Sequence, residues 1–277
     1  KMEQDWGSLT KGEKKRAALA NDTSDSSGAR YGQFVSFKRG MQTLIDALES
    51  RLRNAGVLVV QDHVRSLQRD GSEWQVALGN QSIRADGVVL GVPASTAATM
   101  VSMMSPNLSS ELKMIKFSGA AVVSLGFDRR DVSHSLQAAG MIIPKVAGKR
   151  ILAASFSSSK FPGRAPSGAV LIRTFIGGAL DTSITALTDE EVIEKVLFDL
   201  RATIGLRGSP LIVQVDRWHR SMPQYNLGHV ERIKKIRQAE GKLPSFGLAG
   251  SAYEGVGIPQ VIASGQIAAA RSITGLS

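Results

Sequence analysis

The run Gly255-Val256-Gly257 is the part of the sequence whose residue types and spacing most suit chemistry. It stands between the apolar stretch Phe246-Gly247-Leu248-Ala249-Gly250 and an apolar segment that begins at Ile258-Pro259. Read locally, this is strand, glycine-rich turn and helix. Gly255 and Gly257 let the backbone approach a ligand closely. The first turn of the following helix presents unpaired N–H groups and a partial positive charge, which favour an anion or a polarised carbonyl. A plain strand-turn-helix, with glycines only for the turn, has the same pattern. The third glycine of the dinucleotide fingerprint is Gln260 here. A dinucleotide unit also needs a further strand and an acidic residue roughly 20 positions past the glycines. Residues 258–277 contain neither Asp nor Glu. The run can therefore only complete a site built elsewhere.

Other chemistries find little support. The four histidines, His63, His134, His219 and His229, form no metal-ligand spacing, and the chain has no cysteine. There is no G-x-S-x-G elbow and no phosphate-binding G-x-x-x-x-G-K-[ST] loop. No metal site and no catalytic side chain is assigned.

Elements must position this turn. Met41, Leu44, Ile45, Leu48 and Leu52 recur at helical spacing between Gly40 and Gly56. The period then falls to two. Asp70-Gly71 and Gly79-Asn80 punctuate residues 57–92 into a three-stranded antiparallel meander, whose last strand, "GVVLGV", reads as buried on both faces. Two short helices follow near 95–103 and 107–115. Strands are expected in "GAAVVSLGF", "GMIIP", "RILAASFS" and "AVLIRTFIGG". Thr188 and Glu191 form a capping box for a helix with Val192, Val196, Leu197, Leu200 and Ile204 on its apolar face, and Leu187 staples onto Val192. The strand "LIVQVDRW", the surface helix "HVERIKKIRQA", the short strand "SFGLAG" and a closing helix with Pro259 in its first turn complete the order. Ala263, Ser264, Gly265 and Ala268 keep that helix slim enough for close packing. The fold class is α+β (mixed α/β), without repeats.

The net charge of +10 admits nucleic acid, an anionic membrane surface or an anionic small molecule. The clusters "KGEKKR" and "ERIKKIR" read as solvated surface, and no basic stripe interleaves with aromatics, so nucleic acid is not expected as a partner. No apolar run reaches the ~18–20 residues of a membrane span, and no signal peptide is read at Lys1. Residues 1–30 read as a short helix and a Ser/Asp-rich connector. The absence of cysteine fits a reducing compartment, and a cytoplasmic protein is expected.

The strings "AGSAYEGVGIPQVIASG" and "MPQYNLGH" resemble the oxygen-dependent protoporphyrinogen oxidase family, within the flavin-containing amine oxidase superfamily. Further blocks are similar in order: "FVSFKRGMQTLIDAL", "ADGVVLGVPASTAA", "SFSSSKFPGRAPSG", "IRTFIGG" and "LTDEEVIEKVLFDLRATIGL". That family begins with a βαβ unit carrying G-x-G-x-x-G for the ADP part of FAD, followed by a membrane-associated helical region. Neither is in this sequence, so the resemblance covers a C-terminal part and implies an FAD site that is incomplete in this chain. It implies an FAD-domain part over 31–113, a substrate-binding domain over 114–216 built on an antiparallel or mixed sheet with flanking helices, and a closing FAD-domain part over 217–277. It implies Val64, in the first meander strand, at the adenine edge. Trp218, Val256, Gly257 and Ile258 are implied near the flavin and pyrophosphate, and Ile142 and Phe175 against a tetrapyrrole substrate. The implied reaction is oxidation of protoporphyrinogen IX in haem biosynthesis. Molecular oxygen is the implied electron acceptor. Peripheral association with the cytoplasmic membrane through the missing region, and a homodimer, are also expected. Coproporphyrinogen III oxidation, another amine-oxidase-superfamily flavoenzyme such as a carotenoid desaturase, and a non-catalytic binding module with this fold remain alternatives.

Overall fold

The computed structural model describes residues 35–274. The expected helix and connector before residue 31 lie outside them. The chain divides into two compact units, residues 1–49 and 50–277. At the boundary runs helix α1 (Gln42–Asn54), with Arg51 and Arg53 in its last turn, where the helix dipole favours cations. Its predicted stripe is amphipathic, yet Ile45, Leu48 and Leu52 are exposed.

In the second unit the meander forms as expected: β1 (Ser66–Asp70), β2 (Glu73–Ala77) and β3 (Ser82–Ala85) pair antiparallel in that order. Its first strand is shorter than the sequence reading. Residues 57–65 have no strand partner among the described residues, and Val64 precedes β1 rather than sitting within it. The alternation is there, but a strand exists only where its backbone groups find partners. Arg65 N–H, donating to Ala77 O at 2.8 Å, is where pairing begins.

The segment "GVVLGV" supplies β4 (Val88–Leu90), which leaves the meander and pairs parallel with β10 (Phe246–Leu248). It is not buried on both faces: Leu90 is, but Val89 is exposed. Helices α2 (Ala94–Met100) and α3 (Pro106–Lys113) follow, and Ala94, Ala97 and Ala98 let them approach closely. Ser109 Oγ, buried between them, donates to Ala98 O at 2.7 Å. These elements share one core with Trp74, Phe246 and Tyr253.

A second core lies under a five-stranded antiparallel sheet of order β6-β7-β8-β5-β9. The strands are β5 (Lys116–Asp128), β6 (Gly140–Ile142), β7 (Ile151–Phe156), β8 (Ala169–Gly177) and β9 (Ile212–Gln224). A single turn, α4 (Ser157–Lys160), separates β7 from β8. Strand β9 runs past the expected "LIVQVDRW", through Pro223. Ala121, Val123, Leu125, Phe127, Ile172 and Ile176 line one face of the sheet. Helix α5 (Asp189–Ile204) contributes Val192, Val196, Leu200 and Ile204 to the same core, roughly 1.5–3 kcal/mol each on burial. Its capping box is made, with Thr188 and Glu191 satisfying each other's backbone N–H. Buried Asp199 also lies on this helix. It accepts from the backbone N–H of Arg150 (2.6 Å) and Ile151 (3.1 Å) and so fixes the start of β7.

Helices α6 (His229–Glu240) and α7 (Ile258–Thr274) close the unit. Gly247 of β10 is where α7 comes closest: a Cβ there would lie 2.6 Å from Ala268 O and 2.9 Å from Ala268 Cα. The small-residue reading holds for Ser264 and Ala268, which are buried, but not for Ala263, which is exposed.

Candidate functional site

The glycine turn, residues 249–257, is held on both sides by side chains that the sequence reading did not single out. Tyr225 Oη donates to Ser251 O at 2.7 Å and accepts from Gly255 N–H at 2.9 Å, so one hydroxyl ties the two ends of the turn. His229 Nε2 lies 2.9 Å from Tyr253 O and must carry the proton to bond a carbonyl. The Tyr225 and His229 rings stack at 4.0 Å. Ser264 Oγ accepts from Gly250 N–H at 3.0 Å. Both clamp residues lie in "MPQYNLGH", so two of the sequence blocks that carry the resemblance are in physical contact.

Arg237 supports the turn from below. It grips the Glu254 carboxylate with two nitrogens (2.8 and 2.6 Å), pairs with Glu240 (2.8 Å) and lies 5.0 Å over the Tyr253 ring. Glu240, 1% exposed, also accepts from Arg271 and from Leu248 N–H. Burial opposes the Arg237 charge, but the bonds to Glu254 and Glu240 outweigh it and raise the guanidinium above its ordinary value. The hydrogen bonds from Arg237 hold the Glu254 carboxyl below its ordinary value. "ERIKKIR" is therefore not all solvated surface: its last arginine is the anchor of a buried network. Burial also pushes the Tyr253 hydroxyl far up, and that hydroxyl has no partner among the described residues.

Val256 and Ile258 project at the apex of this braced turn, 64% and 51% exposed, with Gly257 between them. The first α7 bond is Val261 N–H to Gly257 O, and the amides of Ile258 and Gln260 have no partner among the described residues. The Gln260 side chain fills the space over the glycines: a Cβ on Gly255 would lie 2.7 Å from Gln260 Cβ, and one on Gly257 2.3 Å from Gln260 Oε1. Gly255 also has φ 152, which disfavours a side chain. The turn thus needs glycine for its own packing, whatever else approaches.

The other predicted residues fall into two places. Strand pairing sets Ile142, Ala153, Phe175, Val122 and Asp216 in one row across the sheet, on the face away from α5. Trp218 lies one row further along that face, paired with Ala120, and is 56% exposed. Ile142 is 85% exposed and Phe175 half-buried. Strand β9 ends at Gln224, and the next residue is Tyr225, so one continuous segment links this face to the glycine turn.

Val64 stands apart, at a cleft of about 730 Å³ that also takes in Arg65, Arg69, Ser95, Thr96 and Thr99, with methionines but no acidic side chain in its lining. Val64's own main chain is unpaired among the described residues. Arg69 lies 5.2 Å over the Trp74 ring, its Nε donates to Gly71 O, and its buried Nη1 has no partner among the described residues. With two arginines and no acidic side chain in its lining, the cleft suits an anionic group. Among the described residues no group of acidic and histidine side chains could hold a metal. None of the helices there is long and apolar enough to cross a membrane.

Residues 3–273 match the flavin containing amine oxidoreductase family. The chain is 35% identical over 247 residues to the coproporphyrinogen III oxidase of Bacillus subtilis, an alignment covering 88% of this chain and 52% of that protein. It is 32% identical over 254 residues to the protoporphyrinogen oxidase of Bos taurus, covering 87% and 52%. Among solved structures, one from Exiguobacterium sp. 255-15, assigned provisionally as a protoporphyrinogen oxidase, superposes with a TM-score of 0.76 at 25% identity, covering 96% of this chain and 55% of that one. A putrescine oxidase superposes at 0.63 and 16% identity over 85% and 53%, a likeness of fold alone. The chain spans about half the length of the curated relatives it matches.

Proposed function

The chain belongs to the flavin containing amine oxidoreductase family, and from that premise we propose that it forms the substrate-facing and flavin-closing parts of an FAD-dependent porphyrinogen oxidase. The observation that carries this reading is the sheet face on which Ile142 and Phe175 share one row beside Trp218. An apolar, aromatic-bearing strip suits a large flat macrocycle. The names of the relatives supply the substrate class. Protoporphyrinogen IX is the first reading. Coproporphyrinogen III is the second, favoured by the Bacillus relative at 35% identity against 32% for the bovine enzyme.

When bound, the flavin supplies the acceptor for a hydride from a ring carbon of the substrate. The remaining roles belong to this chain. Val256, Gly257 and Ile258, on the braced turn with the amides of Ile258 and Gln260 behind them, would hold the flavin's polar edge. The unpaired main chain of Val64 would meet the adenine at this basic cleft. Phe175 and Ile142 would position the macrocycle and exclude water. Asp216 is the one ionisable side chain in their row, at its far end, so the chain's contribution is positioning and desolvation rather than acid–base work. The proposed domain roles follow: residues 31–113 and 217–277 on the nucleotide side, 114–216 on the substrate side. The same reading includes molecular oxygen as electron acceptor, self-association, and a peripheral place at the cytoplasmic membrane.

The test is reconstitution. The chain, alone and co-expressed with the N-terminal half of the Bacillus relative, is supplied with FAD and an air-exposed porphyrinogen. Flavin absorption bands and porphyrin fluorescence appearing faster than in buffer are expected from the co-expressed sample. A colourless protein and buffer-rate oxidation in both samples would sink the proposal.

A further inference from the structure

The row next to Ile142 and Phe175 on the open sheet face is polar. Register places Gly140, Ser155, Arg173, Ser124 and Gln214 side by side across β6, β7, β8, β5 and β9. The two rows are separated by two residues along each strand, roughly 7 Å. The face is therefore divided. One strip is apolar, with Phe175 near its middle and the small residues Ala153, Ala120 and Gly177 around it. The adjoining strip offers hydroxyls, an amide and one cation.

Arg173 is that cation. It alternates with Thr174, whose side chain is fully buried and whose hydroxyl donates to Val123 O, so Arg173 points away from the core and is exposed. It has no ion pair or hydrogen bond among the described residues. Two carboxylates share this face by strand alternation: Asp128, at the end of β5, is paired with Arg130 at 2.8 Å, and Asp216 lies two strands from Arg173, at the far end of the apolar row, where Gln214 Nε2 donates to it at 2.9 Å. A carboxylate-bearing ligand is thus attracted at Arg173 and repelled at Asp216.

We infer that Arg173 holds a propionate carboxylate of the tetrapyrrole and thereby sets which way round the macrocycle lies on the sheet. The inference rests on the porphyrinogen reading above and adds the residue that recognises the charged edge. A planar guanidinium suits a carboxylate, and the bond is charge-assisted. A substrate with more propionates gains more from this strip than one that carries vinyl groups in their place.

The experiment is a binding series on the 277-residue chain, read by quenching of Trp218 and by the porphyrin absorption shift. The ligands are coproporphyrin III, protoporphyrin IX and the uncharged protoporphyrin IX dimethyl ester; the variants are R173Q and R173K, with W218F as the control for the quenching signal. Arg173 is exposed and makes no hydrogen bond or ion pair among the described residues, so these variants keep the fold. R173Q is expected to weaken coproporphyrin III by about tenfold or more and to leave the ester within about twofold, with R173K retaining most of the affinity. Added salt should weaken coproporphyrin binding to the wild type more than to R173Q. If R173Q binds coproporphyrin III as the wild type does, the inference is overturned and the porphyrinogen reading stands. If the wild type binds none of the three ligands, that reading falls and takes the inference with it.

Discussion

Tyr225→Phe should loosen the glycine turn while leaving the rest of the chain folded. The hydroxyl makes two bonds, to Ser251 O and from Gly255 N–H, at 2.7 and 2.9 Å. Each is worth ~0.5–1.5 kcal/mol net, about 1–3 kcal/mol together. Tyr225 is 43% exposed, so water can replace both partners and the lower half of that range applies, about 1–2 kcal/mol. The phenyl ring keeps its stack on His229, which limits the loss to the hydroxyl. Burial raises the Tyr225 hydroxyl above its ordinary value, so the proton it donates is present throughout the neutral range. If the loss is local, exchange at the Gly255 amide should rise about 5–30-fold. The assay is hydrogen exchange by mass spectrometry, comparing peptides over 249–257 with peptides from β5. Unchanged exchange at Gly255 would refute the claim that this hydroxyl braces the turn. So would an equal rise in β5, which would show global destabilisation instead.

Three further outcomes are expected. Glu240→Ala should cost about 3–5 kcal/mol in chemical denaturation, because it strips a buried carboxylate from Arg237, Arg271 and Leu248 N–H together; pairing it with Arg237→Met should recover part of the loss. Gly255→Ala should destabilise by ~1–3 kcal/mol, since φ 152 and the Gln260 Cβ both oppose a side chain, whereas Gly257→Ala meets only the movable end of Gln260 and should cost less in the same thermal melt. Glu254 is held below its ordinary value of 4.5, so its contribution is present above that value and is lost as pH falls through the lower folded one; acid titration of turn protection should therefore steepen below pH 4.5, and Glu254→Gln should flatten that limb.

Much of the second unit was legible because its signals are local. The capping box at Thr188 and Glu191 and the helix stripe from Val192 to Ile204 depend on neighbours a few residues away, and they form as read. The hairpin dipeptides likewise give the right strand order. What sequence could not supply was partnership at distance. Residues 57–65 carry the alternation of a strand, but alternation does not provide a partner strand, and Val64 is left outside β1. The "GVVLGV" run announces an apolar strand, yet its pairing with Phe246–Leu248 joins segments more than 150 residues apart. Charge in a buried place is the hardest to see. Asp199 sits on an otherwise apolar helix face, and Arg237 and Glu240 sit in a helix with the composition of a surface one. Each is affordable only because a distant group completes its hydrogen bonds.

The glycine turn shows how these levels combine. Its sequence alone left a ligand loop and an ordinary turn indistinguishable, and the packing of Gln260 over Gly255 and Gly257 explains the glycines without any ligand. The case for function therefore moves from the glycines to their surroundings. An ordinary surface turn has little use for a hydroxyl joining its two ends, a histidine on its carbonyl and a buried arginine on its carboxylate. Such bracing lowers the entropy that a ligand would otherwise have to remove on binding. The side-chain bracing stops at Gly255, and beyond it Val256 and Ile258 project into solvent at a helix start, with Gly257 packed under Gln260 between them. That division between a rigid base and exposed apex side chains is what a preorganised binding edge requires. It comes from Tyr225, His229 and Arg237, all outside the glycine run.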